Sequence, residues 1–242
     1  MSKQQIIAGR NPVLELVQST QQVEKVLISK NASGESIKQI IQICRDKNVH
    51  YQFVPEVKIT SLSKANHQGV LAFTSLIQYQ NVQEIIDFTF ENGEDPLLLI
   101  LDNITDIRNV GAIARTALGM GVHAIILPKK ESATINDVAI KISAGALLKI
   151  PVCRVENLAA TIKDIKNNGI TIFGLDGTAN KYIQECTAKI PLALIAGSED
   201  EGISKEILRL VDQLVKLPMQ SELESYNVSV ATAMALYEIK RQ

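Results

Sequence analysis

Hydrophobic and polar positions divide the chain into two α/β regions separated by an acidic stretch. From residue 97 onward, short apolar runs such as 97–101 (LLLIL) alternate with segments whose apolar residues recur at helical spacing. An apolar run without polar gaps is typical of a strand that is covered on both faces. The alternation therefore predicts an α/β fold in which helices flank both sides of a mostly parallel sheet.

The same patterns give approximate positions for the elements. In the C-terminal region they predict strands at 97–101, 123–127, 151–155, 170–175, 191–196 and 213–217. Helices are predicted between these strands at 109–120, 136–146, 157–168, 203–210 and 226–240. In the N-terminal region the patterns predict helical segments at 13–17, 36–47 and 60–64, and strands at 23–29, 51–54 and 70–77.

Charge changes sign along the chain and suggests where the two regions meet. Residues 1–80 carry nine Lys or Arg and five Asp or Glu, whereas residues 81–95 carry five acids and no base. The acidic stretch ends in turn residues, so we predict domains at 1–80 and 96–242 with an acidic linker at 81–95. The basic N-terminal domain is suited to phosphate, although the same balance also fits an ordinary solvated surface.

Composition removes several classes of protein. The chain has 242 residues, 46% of them hydrophobic, and a net charge of −1, which argues against disorder. No apolar run approaches the ~20 residues of a membrane-spanning helix. The first residues lack the apolar stretch of a secretory signal, and three cysteines without a CxxC pair argue against disulfides and a zinc site. We therefore expect a cytoplasmic protein without a metal.

Nucleotide-binding motifs of the familiar kinds are absent from the sequence. The residues after the strand at 97–101 read DNITDIRNVGAIARTA, with one glycine where a dinucleotide site would have the GxGxxG pattern. The sequence also lacks a Walker A motif and an HExxH motif. A nicotinamide-dependent oxidoreductase or a nucleotide triphosphatase is accordingly disfavoured.

Three polar loops follow predicted strands and are candidates for a ligand site, since ligands gather at the carboxyl ends of parallel strands. They are 102–111, 197–202 and 218–227. Each loop also has a structural explanation. Asn109 is placed to cap a helix, and the acids that begin at Glu199 are placed to face a helix N-terminus. Ser225 and Asn227 open the terminal helix, where single polar residues are usually caps.

Arg115 stands among small and apolar residues in NVGAIARTALGMG. An arginine in such surroundings either extends its charge to solvent or is held by a partner. In the second case, Glu199 is the candidate carboxylate that would fix the guanidinium at a substrate phosphate or oxyanion.

Taken together, the stretches NITDIRNVGAIARTA, LIAGSEDEGIS and LPMQSELESYNVSVATAMALYE resemble the three motifs of the SpoU (TrmH-like) RNA ribose 2′-O-methyltransferases of the SPOUT superfamily. The resemblance covers essentially all of 97–242. IAGRNPVLELV at 7–17 and NHQGVLAF at 66–73 resemble the substrate-binding domain of the RlmB type, which methylates a guanosine of large-subunit (23S) ribosomal RNA.

This resemblance implies a set of active-site residues and a cofactor. By motif position, the polar active-site residues would be Asn109, Arg115, Glu199 and Asn227. The transfer would be an attack of a ribose 2′-hydroxyl on the methyl group of a sulfonium, which requires the oxygen to be close and in line. Since a guanidinium stays protonated in proteins, we assign Arg115 to positioning and to stabilising negative charge, with Glu199 fixing its geometry.

S-adenosyl-L-methionine would be held largely by backbone near Gly197, Leu217 and Tyr226, with the loop 176–178 near the adenosine. The resemblance also implies a deep trefoil knot in the C-terminal SPOUT domain and a homodimer formed through that domain. Small residues throughout the terminal helix at 226–240 independently favour close packing against another backbone.

RNA affinity would come from the small N-terminal α/β RNA-binding domain. Arg10 and His67 are its candidate contacts, although both can equally act as turn-stabilising residues. Two rival functions stay open at this point. One is a tRNA ribose 2′-O-methyltransferase, and the other is a non-catalytic RNA-binding or ribosome-assembly factor that retains the fold.

Overall fold

The computed structural model describes residues 5–187, 189, 191–220 and 225–242. The chain forms two compact units, which divide between Gln78 and Tyr79.

The N-terminal unit is a four-stranded mixed sheet with three helices. Its strands are β1 (Ile6–Ala8), β2 (Val23–Ser29), β3 (Tyr51–Val54) and β4 (Val70–Thr74), in the order β1-β4-β2-β3. Strand β4 is antiparallel to both of its neighbours, and β2 and β3 run parallel. The helices are α1 (Arg10–Gln18), α2 (Glu35–Asp46) and α3 (Glu56–Leu62). Apolar residues of α1 and α2, among them Val13 and Ile40, pack against the sheet residues Val26 and Ile28.

The C-terminal unit is built around a seven-stranded sheet in which every described pair is parallel. Its strands are β5 (Leu97–Leu101), β6 (Ala124–Pro128), β7 (Val152–Val155), β8 (Thr171–Leu175), β9 (Lys181–Tyr182), β10 (Leu192–Ala196) and β11 (Gln213–Lys216). Its helices are α4 (Val82–Glu91), α5 (Ile107–Gly119), α6 (Asp137–Ile142), α7 (Leu158–Asn167), α8 (Lys205–Leu208) and α9 (Val228–Arg241). Two single-turn 3₁₀ helices cover Ala146–Leu148 and Ile183–Glu185.

Burial accounts for the central strands. All five residues of β5 and all five of β10 are buried, as expected for strands that carry helices on both faces. The α/β fold with a mostly parallel sheet is therefore confirmed.

The acidic stretch at 81–95 is not a linker, which corrects the prediction from the sequence. Residues 82–91 form α4, whose Ile85 and Ile86 are buried in the core of the C-terminal unit. Asn81 caps this helix by accepting hydrogen bonds from two backbone N–H groups of its first turn. The acids misled the prediction because they occupy the solvent side of an amphipathic helix.

The strand order β7-β6-β5-β10-β8-β11-β9 brings distant segments together. Strand β10 lies between β5 and β8, so the loop after β10 emerges beside the loop after β5. Helices α5 and α9 also pack against each other. Within the part of the chain that the structure describes, no helix combines the length and apolar character needed to cross a membrane.

Candidate active site at the carboxyl edge of the sheet

Three predicted site residues from three separate loops form one hydrogen-bonded cluster. The carboxylate oxygen Oε1 of Glu199 accepts hydrogen bonds from Nδ2 of Asn109 at 3.0 Å and from Nδ2 of Asn227 at 2.5 Å. The backbone N–H of Val228, at the start of α9, donates to the same oxygen at 3.3 Å. Asn227 also donates to Oδ1 of Asn109 at 3.1 Å. The cluster joins the loop after β10 to the beginnings of α5 and α9.

The backbone fixes which way the Asn227 amide points. Asn227 is the N-cap of α9, and its Oδ1 accepts from the backbone N–H of Ser229 at 3.0 Å. With its oxygen engaged by an N–H donor, Asn227 must turn its amide nitrogen toward Glu199 and Asn109. The cap that the sequence suggested and the site role are thus filled by one side chain.

Asn109 is available to the cluster because another residue caps its helix. Helix α5 begins at Ile107, and the carboxylate of Asp106 accepts from the backbone N–H of Arg108 at 2.8 Å. The Arg108 guanidinium also donates to both carboxylate oxygens, and these hydrogen bonds lower the pKa of Asp106 below its usual value. Asn109 therefore lies inside the first turn, where its side chain can reach Glu199.

Glu199 is held by a tight backbone turn. Ser198 and Gly202 exchange backbone hydrogen bonds of 3.0 Å in both directions, so the acidic residues between them form a small loop. Gly202 has φ +67°, in the left-handed region that favours glycine. A Cβ on Gly197 would lie 2.1 Å from the carbonyl carbon of Gly202. Because Gly197 has no side chain, the backbone of Gly202 can pack directly against it.

Asp102 is a positioning residue that the sequence analysis did not single out. It directly follows β5, it is buried, and its Oδ2 accepts from the backbone N–H of Ser204 at 2.7 Å. Its own backbone N–H donates to Ala196 at the end of β10. Asp102 thereby ties the loop that carries Glu199 to the loop that leads to Asn109. The available signal was a carboxylate directly after an unbroken apolar strand, where a charge needs a partner.

Arg115 does not join the cluster, and among the described residues it makes no ion pair with Glu199. Six residues along an α-helix correspond to about 600°, which leaves Arg115 roughly 120° around α5 from Asn109. Asn109 faces Glu199, so Arg115 faces elsewhere. Its side chain is exposed and forms no ion pair or hydrogen bond with a described residue.

The predicted cofactor-binding residues lie at the ends of the strands that border the cluster. Gly197 follows β10 and Leu217 follows β11, and the backbone N–H and C=O of both make no hydrogen bond to a described residue. Gly197 is buried, and buried backbone groups are normally paired. Tyr226 donates from its hydroxyl to the backbone oxygen of Pro218 at 3.0 Å, across a loop whose residues 221–224 lie outside the described part.

The loop after β8 is closed by its own side chains. Asp176 accepts from the backbone N–H and the hydroxyl of Thr178, at 2.7 Å and 2.6 Å. Open backbone groups beside a cluster of amides and a carboxylate can bind an uncharged adenosine-like moiety and orient a hydroxyl-bearing substrate. The residues present therefore fit a cofactor that is held mainly by backbone.

Arg10 and His67 belong to the N-terminal unit and line one cavity there. Each also stabilises local backbone: Arg10 donates from Nε to the backbone oxygen of Gln68, and His67 accepts at Nδ1 from the backbone N–H of Gly69. Both residues therefore stabilise local backbone, and both also line the cavity.

Two family models match the chain. Residues 96–237 match the SpoU rRNA Methylase family, and residues 6–80 match the RNA 2′-O ribose methyltransferase substrate binding family.

Similar proteins extend over nearly the whole chain. The YacO protein of Bacillus subtilis (strain 168), named for the TrmH family of tRNA/rRNA methyltransferases, is 34% identical over 236 residues, covering 98% of this chain and 95% of that protein. A Staphylococcus aureus (strain MSSA476) protein named for the same family is 33% identical over 237 residues, covering 98% of this chain and 96% of the relative.

Solved structures support the fold. The SpoU methyltransferase AviRb from Streptomyces viridochromogenes, in complex with the cofactor AdoMet, has a TM-score of 0.63 at 22% identity and covers 98% of this chain and 90% of its own. The A. aeolicus TrmH/SpoU tRNA modifying enzyme has a TM-score of 0.57 at 30% identity, covering 62% of this chain and 76% of that chain.

Proposed function

Because the chain belongs to the SpoU rRNA methylase family, we propose that it methylates the ribose 2′-hydroxyl of a guanosine in large-subunit (23S) ribosomal RNA. The broader activity follows from the family: the protein is an S-adenosylmethionine-dependent RNA methyltransferase. The single observation that carries the proposal for this site is the cluster in which Glu199 binds Asn109 and Asn227.

The cluster provides a hydrogen-bonded set of polar groups for positioning a ribose. Asn109 and Asn227 are proposed as the residues that orient the ribose and its loop, with Glu199 as the acceptor that holds both amides. When bound, S-adenosylmethionine supplies a methyl group on a positively charged sulfur, which a ribose oxygen can displace with release of a neutral thioether. The backbone near Gly197 and Leu217 and the residue Tyr226 are proposed to hold it.

Arg115 is proposed to act on the substrate directly. Its exposed guanidinium has no partner among the described residues, so it is free to bind an RNA phosphate and to stabilise negative charge on the attacking oxygen. Asn109, Arg115, Glu199 and Asn227 thus remain the proposed active-site set, with Arg115 now acting independently of Glu199.

Association of two chains through the C-terminal unit is part of the proposal. Val230, Met234 and Tyr237 form an exposed apolar stripe at helical spacing on α9. A second copy of this chain is the proposed cover for that stripe, in keeping with the homodimer implied by the family resemblance. The deep trefoil knot and a cytoplasmic location likewise stay proposals from that resemblance, and three free cysteines are compatible with a reducing compartment.

The N-terminal unit is proposed to bind the RNA substrate, with Arg10 and His67 as contacts. Its match to a substrate-binding family supports this role. Two observations keep transfer RNA as the alternative substrate. The relatives carry a tRNA/rRNA designation, and the A. aeolicus enzyme, described as tRNA modifying, is 30% identical.

The test is methyl transfer from labelled S-adenosylmethionine to separated 23S, 16S and transfer RNA from cells that lack this protein. We expect label in 23S RNA at one alkali-resistant guanosine linkage. Label confined to transfer RNA would replace the ribosomal substrate. Cofactor binding without label in any RNA or ribosomal particle would favour the assembly-factor function.

A further inference from the structure

The N-terminal unit contains a cavity of about 320 Å³ that is lined mainly by polar side chains. It lies where β1, β2 and β3 end and where β4 begins. The side chains that matter for binding are Arg10, Asn31, Glu56, Asn66 and His67. Its volume is at the lower end of the range for small-molecule sites, about 300–1,000 Å³, and suits a single nucleobase.

Hydrogen bonds fix one wall of this cavity. The backbone N–H of Arg10 donates to Oε1 of Gln68 at 3.1 Å, and the Arg10 Nε donates to the Gln68 backbone oxygen at 3.2 Å. His67 accepts at Nδ1 from the Gly69 N–H at 3.0 Å, so its Nε2 carries the proton that faces the Thr60 hydroxyl at 3.2 Å. The wall is therefore formed before any ligand arrives.

The same turn uses left-handed backbone, which glycine adopts readily and glutamine only at a cost. Gln68 has φ +47° and Gly69 has φ +81°, both in the left-handed region. A Cβ on Gly69 would lie 2.9 Å from the Cβ of Ala32, which also lines the cavity. Strain of this kind persists where surrounding contacts enforce it, as at ligand-binding turns.

Four groups in the cavity are left for a ligand. The terminal nitrogens of Arg10, the amides of Asn31 and Asn66, and the carboxylate of Glu56 have no hydrogen bond or ion pair with any described residue. Arg10 and Glu56 share the cavity without forming a salt bridge. The Glu56 carboxylate would repel a free phosphate, and the Arg10 guanidinium would repel a simple cation. The site therefore suits a neutral ligand that presents donors on one edge and acceptors on another.

We propose that this cavity binds a guanine base from an unpaired segment of the RNA substrate, an inference that rests on the proposed function. Guanine presents N1–H and the N2 amine, which Glu56 accepts, and it presents O6 and N7, to which Arg10 donates. Asn31 and Asn66 can both donate and accept at the remaining edge. The excess of basic residues over 1–80 favours the adjoining RNA backbone. Unpaired bases are the usual targets of sequence-specific RNA recognition.

The experiment measures binding of the full-length protein to short single-stranded RNAs by fluorescence anisotropy at fixed salt. The RNAs are identical except for one central position, which is guanosine, inosine, 7-deazaguanosine or adenosine. Inosine lacks the N2 amine, and 7-deazaguanosine lacks the N7 acceptor. Because Glu56 is exposed and Arg10 is only partly buried, we expect each lost hydrogen bond to weaken binding by about threefold to tenfold, both for inosine and for 7-deazaguanosine.

Variants assign each preference to one side chain. Glu56→Gln should remove most of the preference for guanosine over inosine, and Arg10→Lys most of the preference for guanosine over 7-deazaguanosine. Glu15→Gln is the matched control, because Glu15 is exposed on α1 outside the cavity and the variant changes the charge equally. Thermal melting checks that each variant is folded.

Two results would overturn the inference. One is equal affinity of the wild-type protein for all four RNAs, or binding to none of them. The other is a Glu56→Gln protein that is folded and keeps the guanosine preference unchanged. Methyl transfer separates this inference from the proposed function: Glu15→Gln should retain wild-type turnover, whereas a wild-type protein that methylates no RNA but still prefers guanosine defeats only the enzymatic proposal.

Discussion

The Glu199 carboxylate supports the most direct test of the candidate active site. Among the described residues, contacts to its side chain use one oxygen, Oε1, which accepts from Asn109, Asn227 and the Val228 N–H. Glu199→Ala removes the acceptor of all three hydrogen bonds. Glu199→Gln retains an oxygen at that position and removes only the charge. The two variants therefore separate the acceptor from the negative charge.

The size of the effect on stability follows from the contacts. Hydrogen bonds to a charged acceptor are worth about 1.5–3 kcal/mol when buried, but Glu199 is exposed, so about 0.5 kcal/mol each is appropriate. Loss of three such bonds lowers the free energy of unfolding by about 1–2 kcal/mol. For a protein of this size, that corresponds to a decrease in Tm of about 2–8 °C.

The effect on turnover should exceed the effect on stability. Without Glu199, the Asn109 and Asn227 amides lose their common acceptor, and a displacement of about 1 Å in a positioned substrate costs on the order of 100-fold in rate. We expect Glu199→Ala to reduce single-turnover methyl transfer by about that factor, and Glu199→Gln by about tenfold or less. The assays are tritiated methyl incorporation into RNA and differential scanning fluorimetry.

Glu201→Ala provides the control, because Glu201 lies in the same loop and is exposed, and its side chain makes no hydrogen bond or ion pair with a described residue. It should melt and turn over like the wild-type protein. If Glu199→Ala behaved like Glu201→Ala in both assays, the cluster would have no positioning role.

Four further outcomes are expected. Arg115→Ala should lower turnover by about 100-fold or more while Tm stays within about 1 °C, and Arg115→Lys should not restore the wild-type rate; near-normal turnover of either variant would remove Arg115 from the mechanism. Gly197→Ala should lower Tm by at least several degrees in a melting scan, because its Cβ would overlap backbone 2.1 Å away; an unchanged Tm would contradict the close approach. Tyr237→Glu should shift the mass measured by light scattering from dimer to monomer, and an unaltered mass would exclude the α9 stripe as the interface. Burial raises the pKa of Cys44 to about 11 and of Cys153 to about 12, above the value near 9 of an exposed thiol, so the thiols of the unfolded state lose their protons at lower pH than those of the folded state. The free energy of unfolding measured by urea titration should therefore fall above about pH 9, by up to ~1.4 kcal/mol per pH unit for each thiol. A urea midpoint that does not change between pH 8 and 10 would disprove this.

Periodicity was sufficient to locate most elements of the C-terminal unit, because its central strands β5 and β10 are apolar throughout and its longer helices are amphipathic. Periodicity was insufficient for α4, because its acidic residues were interpreted as a block of charge. Ile85 and Ile86 nevertheless indicated that one face of this segment is buried. It also missed β1 and β9, which are three and two residues long and depend on pairing with distant strands.

The sequence indicated which side chains carry the site, but not which of them touch. Asn109 could be recognised as polar at a helix start, yet only the structure shows that Asp106 caps α5 and leaves Asn109 free. The expected ion pair of Glu199 and Arg115 is absent among the described residues, because Arg115 lies about 120° around α5 from Asn109, which is the residue that contacts Glu199. Tertiary geometry of this kind depends on how loops from different strands meet, and local patterns do not contain it.

The insertion of β10 between β5 and β8 has a consequence for how the protein is made. As the chain leaves the ribosome, β5 can pair with β6 on one side, but its other edge stays open until the residues around Leu192 have been synthesised. A nascent chain that ends before Leu192 exposes the unpaired edge of β5, which is apolar and lies at the centre of the final sheet. Such an edge can pair with other chains. Truncations that remove the final quarter of the protein should therefore yield aggregates rather than a smaller folded unit.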